Sequence, residues 1–362
     1  MSPTNPSLID LGWNEARERE FREAAPEGCV PGRICRHVSG RFYAWTGGGK
    51  EVEAERPGRL GHRAGPGAGL PAVGDWVVLR LLEGEPKGTI ESILSRTSVF
   101  SRKSAGRTTR EQLVAANVDT LFLVTGLDGD FNVRRIERYL TLGWESGAEP
   151  VVILNKADLR GDAEECADSV RAIAPNGAVI AVSALDGRGF DDLGPWLGPG
   201  RTVALLGSSG AGKSSIINRL AGEDVARTAE VREADSRGRH TTTHREMIVL
   251  PSGAILVDSP GMREIQLWGS EKGLASAFGD VESLAGECRF RDCAHGSEPG
   301  CAVRAAVASG GLSEARLDSY LRLRRELGHL RERRDEKIHR NTKGRWKAIH
   351  KEWRRFKKNR GH

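Results

Sequence analysis

The order of three short polar motifs constrains this chain most, because each motif follows a run of apolar residues. Along the chain they are Asn155-Lys156-Ala157-Asp158, the segment from Gly207 to Ser214, and Asp258-Ser259-Pro260-Gly261. Motifs of this kind bind the base, the phosphates and the Mg²⁺ ion of a guanine nucleotide. In ordinary small GTPases the Asn-Lys-x-Asp motif comes last, whereas here it comes first. The sequence therefore predicts a circularly permuted P-loop GTPase domain.

The second motif matches the phosphate-loop pattern G-x-x-x-x-G-K-[ST] in full, between an apolar run at 203–206 and a helical pattern at 215–220. Such a strand–loop–helix unit directs backbone N–H groups towards phosphate oxygens. We expect Lys213 to reach the β- and γ-phosphates and the hydroxyl of Ser214 to bind Mg²⁺. A glycine-rich turn with a chance lysine is the alternative. The expected nucleotide contacts of this motif are Gly207, Ser208, Ser209, Gly210, Ala211, Gly212, Lys213, Ser214 and Ser215.

The first motif indicates which base is bound. The carboxylate of Asp158 can accept hydrogen bonds from the ring N–H and the exocyclic amine of guanine, a pair of donors that adenine lacks. Another apolar run, 178–182, precedes Ser183-Ala184-Leu185, which is typical of the backbone loop that contacts the base. A solvated strand-to-helix turn is the alternative for the four-residue motif. The predicted base-site residues are Asn155, Lys156, Ala157, Asp158, Ser183, Ala184 and Leu185.

The third motif and the polar stretch before it predict the switch elements. We expect Asp258 to hold Mg²⁺ through water and the N–H of Gly261 to meet the γ-phosphate. The stretch from 238 to 245 suits a switch segment, and we take Thr242 as its Mg²⁺ ligand, although spacing does not separate it from the neighbouring threonines.

The residue after the third motif predicts slow intrinsic hydrolysis. Met262 stands where Ras-like enzymes carry the glutamine that orients the attacking water. His240 is the candidate for this task, because a neutral imidazole nitrogen can accept a hydrogen bond from water. An ordinary loop histidine is the alternative. The predicted catalytic set is His240, Lys213, Thr242, Asp258 and Gly261.

Four residues near the C-terminal end predict a metal site. Cys288, Cys293, His295 and Cys301 form a Cys-x4-Cys-x-His-x5-Cys pattern that could close a tetrahedral zinc site with no open position. A closed Cys₃His site is typical of structural zinc. A disulfide or unligated core cysteines are the alternatives, and a disulfide fits poorly with a reducing cytosol.

The N-terminal part of the chain has a different character. Between residues 30 and 105, short β-like stretches alternate with turns rich in Gly and Pro, which indicates a small β-barrel. Periodicity leaves an OB-fold and an SH3-like barrel both open. The predicted domains are a flexible extension (1–29), an OB-fold-like barrel (30–110), the permuted GTPase domain (111–270), a mainly helical zinc-binding domain (271–330) and a basic tail (331–362).

The positive charge of the chain is concentrated in this tail. Residues 331–362 contain 14 Lys or Arg and 4 Asp or Glu, whereas the whole chain has a net charge of +6. Trp346, Trp353 and Phe356 are interleaved with these cations and could stack on unpaired bases. We expect RNA binding; a solvated helix or a membrane-surface helix are the alternatives.

The motifs and their order resemble those of the RsgA (YjeQ) family of GTPases that depend on the small ribosomal subunit. The resemblance rests on the three motifs, on Ser183-Ala184 and on the segment 238–243, and it extends from about residue 30 to about residue 330. It implies an N-terminal OB-fold, a central permuted GTPase domain and a C-terminal zinc domain. It also implies a role in late maturation of the small (30S) subunit.

We therefore expect a GTP hydrolase whose activity is stimulated by the small subunit and coupled to release from it. The expected cofactors are one structural Zn²⁺ and the Mg²⁺ that accompanies GTP; the expected partners are GTP or GDP, the small subunit and its 16S rRNA. A cytoplasmic location is expected, because no secretory signal or long apolar span is present. A monomer without a membrane partner is also expected. The alternatives are a GTP-regulated RNA-binding module with little turnover and a regulatory GTPase acting on a protein partner.

Overall fold

The structure is a computed structural model that describes residues 6–55, 70–103, 111–174, 177–223, 245–258 and 271–332. The chain divides into two compact units, the first ending at Gln266 and the second beginning at Leu267. The predicted switch residues His240, Thr242 and Gly261 lie outside the described residues, as do Met262 and the tail from 333 onwards.

The first unit begins with a closed five-stranded barrel. Its strands are β1 (Val30–Val38), β2 (Arg41–Thr46), β3 (Glu51–Glu55), β4 (Trp76–Leu81) and β5 (Lys87–Ile93). The pairing order is β1-β2-β3-β5-β4, and β4 pairs with β1 to close the barrel. All pairs are antiparallel except β3 with β5. This closed five-stranded order is that of an OB-fold, so the SH3-like alternative is excluded.

The segment before the barrel is packed against it. Helix α1 (Glu15–Ala24) begins after Asn14, whose side chain accepts a hydrogen bond from the backbone N–H of Arg17. Leu11 is fully buried, and the ring of Trp13 meets that of Trp76 edge-on at 4.9 Å between centroids. In this segment Leu11 is buried and Trp13 packs on the barrel residue Trp76, whereas Ile9 is 76% exposed.

A parallel sheet follows the barrel. Strands β6 (Val99–Lys103) and β7 (Glu111–Ala116) form a separate antiparallel pair across the predicted boundary at 110. The elements of the sheet and its helices are β8 (Thr120–Gly126), α2 (Val133–Ser146), β9 (Glu149–Asn155), α3 (Ala163–Arg171), β10 (Ala178–Ala181), β11 (Thr202–Gly207), α4 (Lys213–Ala221), β12 (Arg245–Val249) and β13 (Ile255–Asp258).

The strand order of this sheet is β10-β9-β8-β11-β13-β12, parallel except for β12. Strands β8 and β11 lie in its centre, and every residue of both is buried, as expected for a parallel sheet. The strand with the phosphate loop, β11, is therefore central although it comes late in the chain. This arrangement is the circular permutation that the motif order predicts.

Several contacts join the barrel to the parallel sheet, among them a strand pair and a buried arginine. Strand β12 pairs with β1, with Arg36 opposite Glu246. The fully buried guanidinium of Arg33 donates to the carbonyl of Asn117 at 3.1 Å and to the hydroxyl of Thr202 at 2.8 Å. Burial lowers the pKa of Arg33 to about 10. Since Arg33 belongs to β1 and Thr202 begins β11, this side chain connects the two sheets through the core.

The second unit is helical. Its elements are α5 (Glu271–Ala277), α6 (Gly279–Gly286), α7 (Ala302–Ala308) and α8 over residues 314–332. Arg316 on α8 pairs with Asp280 at 2.9 Å and lies over the ring of Phe278 at 4.1 Å. Among the described helices, none is both long and apolar enough to cross a bilayer.

Candidate functional site

The described residues of the three predicted motifs meet at one edge of the parallel sheet. Asn155 ends β9, Gly207 ends β11 and Asp258 ends β13. These strands run parallel, so their carboxyl ends lie on the same side, which is where ligands bind in open α/β sheets. Ala204 pairs with Val257, which places Asp258 one residue further towards the phosphate loop.

The phosphate loop has the backbone that a phosphate cradle requires. Gly210 and Gly212 have φ angles of 85° and 90°, in the left-handed region that favours glycine. Gly207 packs so closely that a Cβ atom there would lie 2.2 Å from the carbonyl oxygen of Val124. The ammonium of the buried Lys213 donates to the carbonyl of Gly207 at 2.8 Å and to that of Ser208. The start of α4 at Lys213 leaves its first N–H groups facing the loop.

Asn155 ties the base motif to the phosphate loop. Its side chain is 2% exposed. Its amide nitrogen donates to the carbonyl of Ala211 at 3.0 Å, and its amide oxygen accepts from the N–H of Ala184 at 3.1 Å. A Cβ atom at Gly212 would lie 2.1 Å from this amide nitrogen, so glycine is required there. One side chain thus holds the phosphate loop and the predicted base loop together.

The structure also brings Asp158 to the base loop. The hydroxyl of Ser183 donates to the carboxylate of Asp158 at 2.7 Å and accepts from the N–H of Asp186 at 3.2 Å. Ala157 is held by a hydrogen bond from its N–H to the carbonyl of Val182 at 3.1 Å. The carboxylate that would select guanine is therefore fixed by a residue 25 positions away.

The four predicted zinc ligands form a cluster in the second unit. The donor atoms of Cys288, Cys293, His295 and Cys301 all lie within 4.8 Å of one another. The sulfurs of Cys288 and Cys301 are 3.9 Å apart, and Nδ1 of His295 lies 3.7 and 3.6 Å from them. Tetrahedral Zn–S and Zn–N bonds of about 2.3 and 2.1 Å imply separations of about 3.8 Å between sulfurs and about 3.6 Å from sulfur to nitrogen. The separations among Cys288, His295 and Cys301 match these values.

Neighbouring groups keep these ligands in place. The sulfur of Cys301 accepts a hydrogen bond from the N–H of Arg304 at the start of α7. The guanidinium of Arg304 donates to the carbonyl of His295 at 2.9 Å. His295 has a φ of 60°, and the carboxylate of Glu298 accepts from the N–H groups on either side of it, those of Ala294 and Gly296. The donor set therefore fits a structural metal ion.

Comparisons with known proteins identify the family of this chain. The sequence model of the RsgA GTPase family matches residues 93–268. A relative from Opitutus terrae, named small ribosomal subunit biogenesis GTPase RsgA, is 46% identical over 353 residues, covering 95% of this chain and 96% of its own length. The chain belongs to the RsgA GTPase family.

Two solved structures of similar proteins extend the likeness to the fold. The crystal structure of YjeQ from Thermotoga maritima aligns with 83% of this chain and 98% of its own, with a TM-score of 0.64 and 25% identity. The structure of YloQ, described as a circularly permuted GTPase, covers 84% of this chain and 96% of its own, with a TM-score of 0.61 and 25% identity. This chain thus shares its fold with both solved structures.

In this RsgA GTPase, the sequence motifs give no indication that Arg219, which lies on α4, contacts the base loop. Its guanidinium donates to the carbonyls of Ala184 and Leu185 at 3.2 and 3.4 Å and lies 5.4 Å from the ring centroid of Phe190. A Cβ atom at Gly187 would lie 1.9 Å from this guanidinium. Arg219 thus links the phosphate-loop helix to the base loop. No signal in the sequence separates it from a surface arginine of an amphipathic helix.

The sequence motifs also do not include Asp128 and Asp130. They follow β8, and each contacts a nucleotide motif: Lys156 donates to Asp128, and the hydroxyl of Ser208 donates to Asp130. Their position in the sequence does indicate a role at the site, because both residues closely follow a buried strand, as the three motifs do.

Proposed function

We propose that this chain hydrolyses GTP, binds the small (30S) ribosomal subunit and assists its late maturation, with hydrolysis stimulated by the subunit and coupled to release. The observation that carries this proposal is the 46% identity, over 96% of its length, to a relative named small ribosomal subunit biogenesis GTPase RsgA. The meeting of the base motif, the phosphate loop and Asp258 at one sheet edge supports the nucleotide part of the proposal.

The proposed roles follow from the chemistry of each group. Asp158 selects guanine, Lys213 stabilises the charge of the β- and γ-phosphates, and Ser214 binds Mg²⁺ directly while Asp258 does so through water. The ion, when bound, neutralises the charge that develops on the phosphate oxygens. His240 orients the attacking water in place of a glutamine. Thr242 completes the Mg²⁺ shell, and the N–H of Gly261 binds the γ-phosphate.

The remaining parts of the proposal concern the metal and the partner. The cluster of Cys288, Cys293, His295 and Cys301 holds one structural Zn²⁺, since it leaves no open coordination position. The basic tail neutralises phosphates of 16S rRNA, and its aromatic side chains stack on unpaired bases. The protein acts in the cytoplasm as a monomer, and an OB-fold-like barrel, a permuted GTPase domain, a zinc-binding domain and a basic tail are part of this proposal.

Steady-state GTP hydrolysis with and without purified small subunits tests the proposal. We expect small subunits to raise the rate at least tenfold, which is about 1.4 kcal/mol of barrier, while large subunits have little effect. Lys213→Ala serves as the blank, because it removes the ammonium that stabilises the phosphates. Equal rates with small, large and no subunits would contradict the proposal.

An RNA-binding module that holds GTP with little turnover is the second candidate. Met262 favours it, because methionine cannot orient an attacking water. Release of many phosphates per enzyme molecule in the presence of small subunits would exclude this candidate, whereas a single turnover followed by arrest would support it.

A further inference from the structure

The loop between β8 and α2, residues 126–132, contacts both nucleotide motifs. Its Leu127 is fully buried and donates its N–H to the carbonyl of Asn155 at 2.8 Å. A Cβ atom at Gly126 would lie 2.7 Å from a carboxylate oxygen of Asp128, so the tight start of the loop depends on glycine. We call residues 126–132 the bracket loop.

The first carboxylate of the bracket loop holds the base motif. The ammonium of Lys156 donates to one oxygen of Asp128, and the N–H of Asp130 donates to the other at 3.1 Å. Lys156 has a φ of 64°, a conformation that non-glycine residues rarely adopt. The hydrogen bond from Lys156 lowers the pKa of Asp128, so the carboxylate is ionised at neutral pH. The ion pair therefore fixes a side chain whose backbone is already constrained.

The second carboxylate holds the phosphate loop. The hydroxyl of Ser208 donates to one oxygen of Asp130, and the guanidinium of Arg135 on α2 lies 2.8 Å from the other. The carbonyl of Ser208 accepts from the ammonium of Lys213. Ser208 is thus held through its side chain by Asp130 and through its backbone by Lys213, the residue expected to reach the phosphates.

We propose that Asp128 and Asp130 are positioning residues for nucleotide binding. Asp128 fixes Lys156 beside the base site, and Asp130 fixes Ser208 and with it the carbonyl that receives Lys213. Both motifs are then ordered before the nucleotide arrives, which lowers the ordering cost of binding. Neither carboxylate has to touch the nucleotide, and Arg135 balances the charge that Asp130 would otherwise place beside the phosphates. The inference rests on the proposed GTPase function.

A double-mutant cycle between Asp130 and Ser208 tests the inference. Asp130→Asn, Ser208→Ala and the double variant are compared with the wild type by the Kd for GDP, measured on the full chain with a fluorescent GDP analogue in competition. Each single variant should raise the Kd about fivefold, the effect of losing one partly exposed charge-assisted hydrogen bond. The Kd of the double variant for GDP should be no higher than that of the weaker-binding single variant, because both changes break the same contact.

Asp128→Asn should raise the Kd by a similar factor, and the matched control is Asp168→Asn. Asp168 is another aspartate of the first unit that pairs with an arginine, Arg171, at 2.7 Å, but it lies on the exposed surface of α3. This control should bind GDP as the wild type does. The Tm of every variant is measured in parallel, because a purely structural role would lower the Tm and leave the Kd of the folded protein unchanged.

Wild-type affinity in Asp128→Asn and Asp130→Asn, or multiplicative effects of Asp130→Asn and Ser208→Ala, would overturn the inference and leave the proposed function intact. Absence of GDP binding by the wild type would overturn the proposed function and the inference together. If Asp130→Asn does not fold, Ser208→Ala alone still decides, because unchanged affinity in that variant contradicts the role of the contact.

Discussion

Replacement of Asn155 by alanine should destabilise the first unit, because this side chain joins two loops that lie far apart in the sequence. It donates to the carbonyl of Ala211 and accepts from the N–H of Ala184 while being 2% exposed. Alanine removes both hydrogen bonds and leaves two backbone groups without partners. The loss is therefore larger than that of a single exposed hydrogen bond.

The magnitude follows from these two contacts. A buried polar group that loses its partner costs about 1–3 kcal/mol, and partial access of water to the loops places the sum near 3 kcal/mol. For a unit of this size, each kcal/mol shifts the Tm by about 2–4 °C, so a decrease of about 6–12 °C is expected. The Kd for GDP should also rise, because the phosphate loop and the base loop would no longer be held together.

Differential scanning calorimetry of the nucleotide-free protein is the assay, with the transition of the second unit as an internal reference. Asn132→Ala is the matched control, because it removes a single exposed helix cap worth about 1 kcal/mol. Asn155→Asp keeps an acceptor for the N–H of Ala184 but places an oxygen against the carbonyl of Ala211. The reasoning would be refuted if Asn155→Ala lowered the Tm no more than Asn132→Ala does.

Three further predictions concern the metal, the base loop and pH. Cys293→Ser should abolish the one zinc per chain that we expect and lower the Tm of the second unit, as measured by plasma emission spectroscopy and calorimetry, whereas Cys29→Ser should retain the metal. Arg219→Ala should raise the Kd for GDP about threefold. Gly187→Ala should lower the Tm more in the wild-type background than in the Arg219→Ala background, because the new Cβ atom would lie 1.9 Å from the guanidinium of Arg219. Since the hydrogen bond from Lys156 lowers the pKa of Asp128, its stabilising effect is present above pH about 4 and lost as the pH falls through the folded-state pKa. The Tm difference between Asp128→Asn and the wild type should therefore vanish in acid, and a constant difference down to pH about 2 would contradict this.

Local sequence patterns predict which residues lie together when those residues occupy one short segment of the chain. The phosphate loop, the base motif and the four zinc ligands each occupy a short segment, and the structure places each set together as expected. The reason is that a strand–loop–helix unit or a short metal loop encodes its geometry in the spacing of glycines and ligands. The order of the motifs likewise sufficed to predict the permutation, because a parallel sheet collects strand ends at one edge.

The choice between barrel types required long-range pairing. Alternation and turn residues indicate strands in both kinds of barrel, but the parallel pairing of β3 with β5 and the closure of β4 onto β1 are contacts between distant segments. The burial of Leu11 depends on distant segments for the same reason, since its carbonyl accepts a hydrogen bond from Arg33, a residue of the barrel.

By itself, the sequence determined the family, the permuted order of the nucleotide motifs and the Cys/His cluster that could hold a metal ion. Only the tertiary structure decided which side chains support these motifs. Ser208 and Asp130 are 78 residues apart, and Arg219 and Ala184 are 35 apart. Such contacts depend on how strands and helices are arranged in space, and no local spacing encodes them. Nucleotide-binding motifs can therefore be recognised in a single sequence, whereas the residues that hold them in place can be identified only from the folded structure.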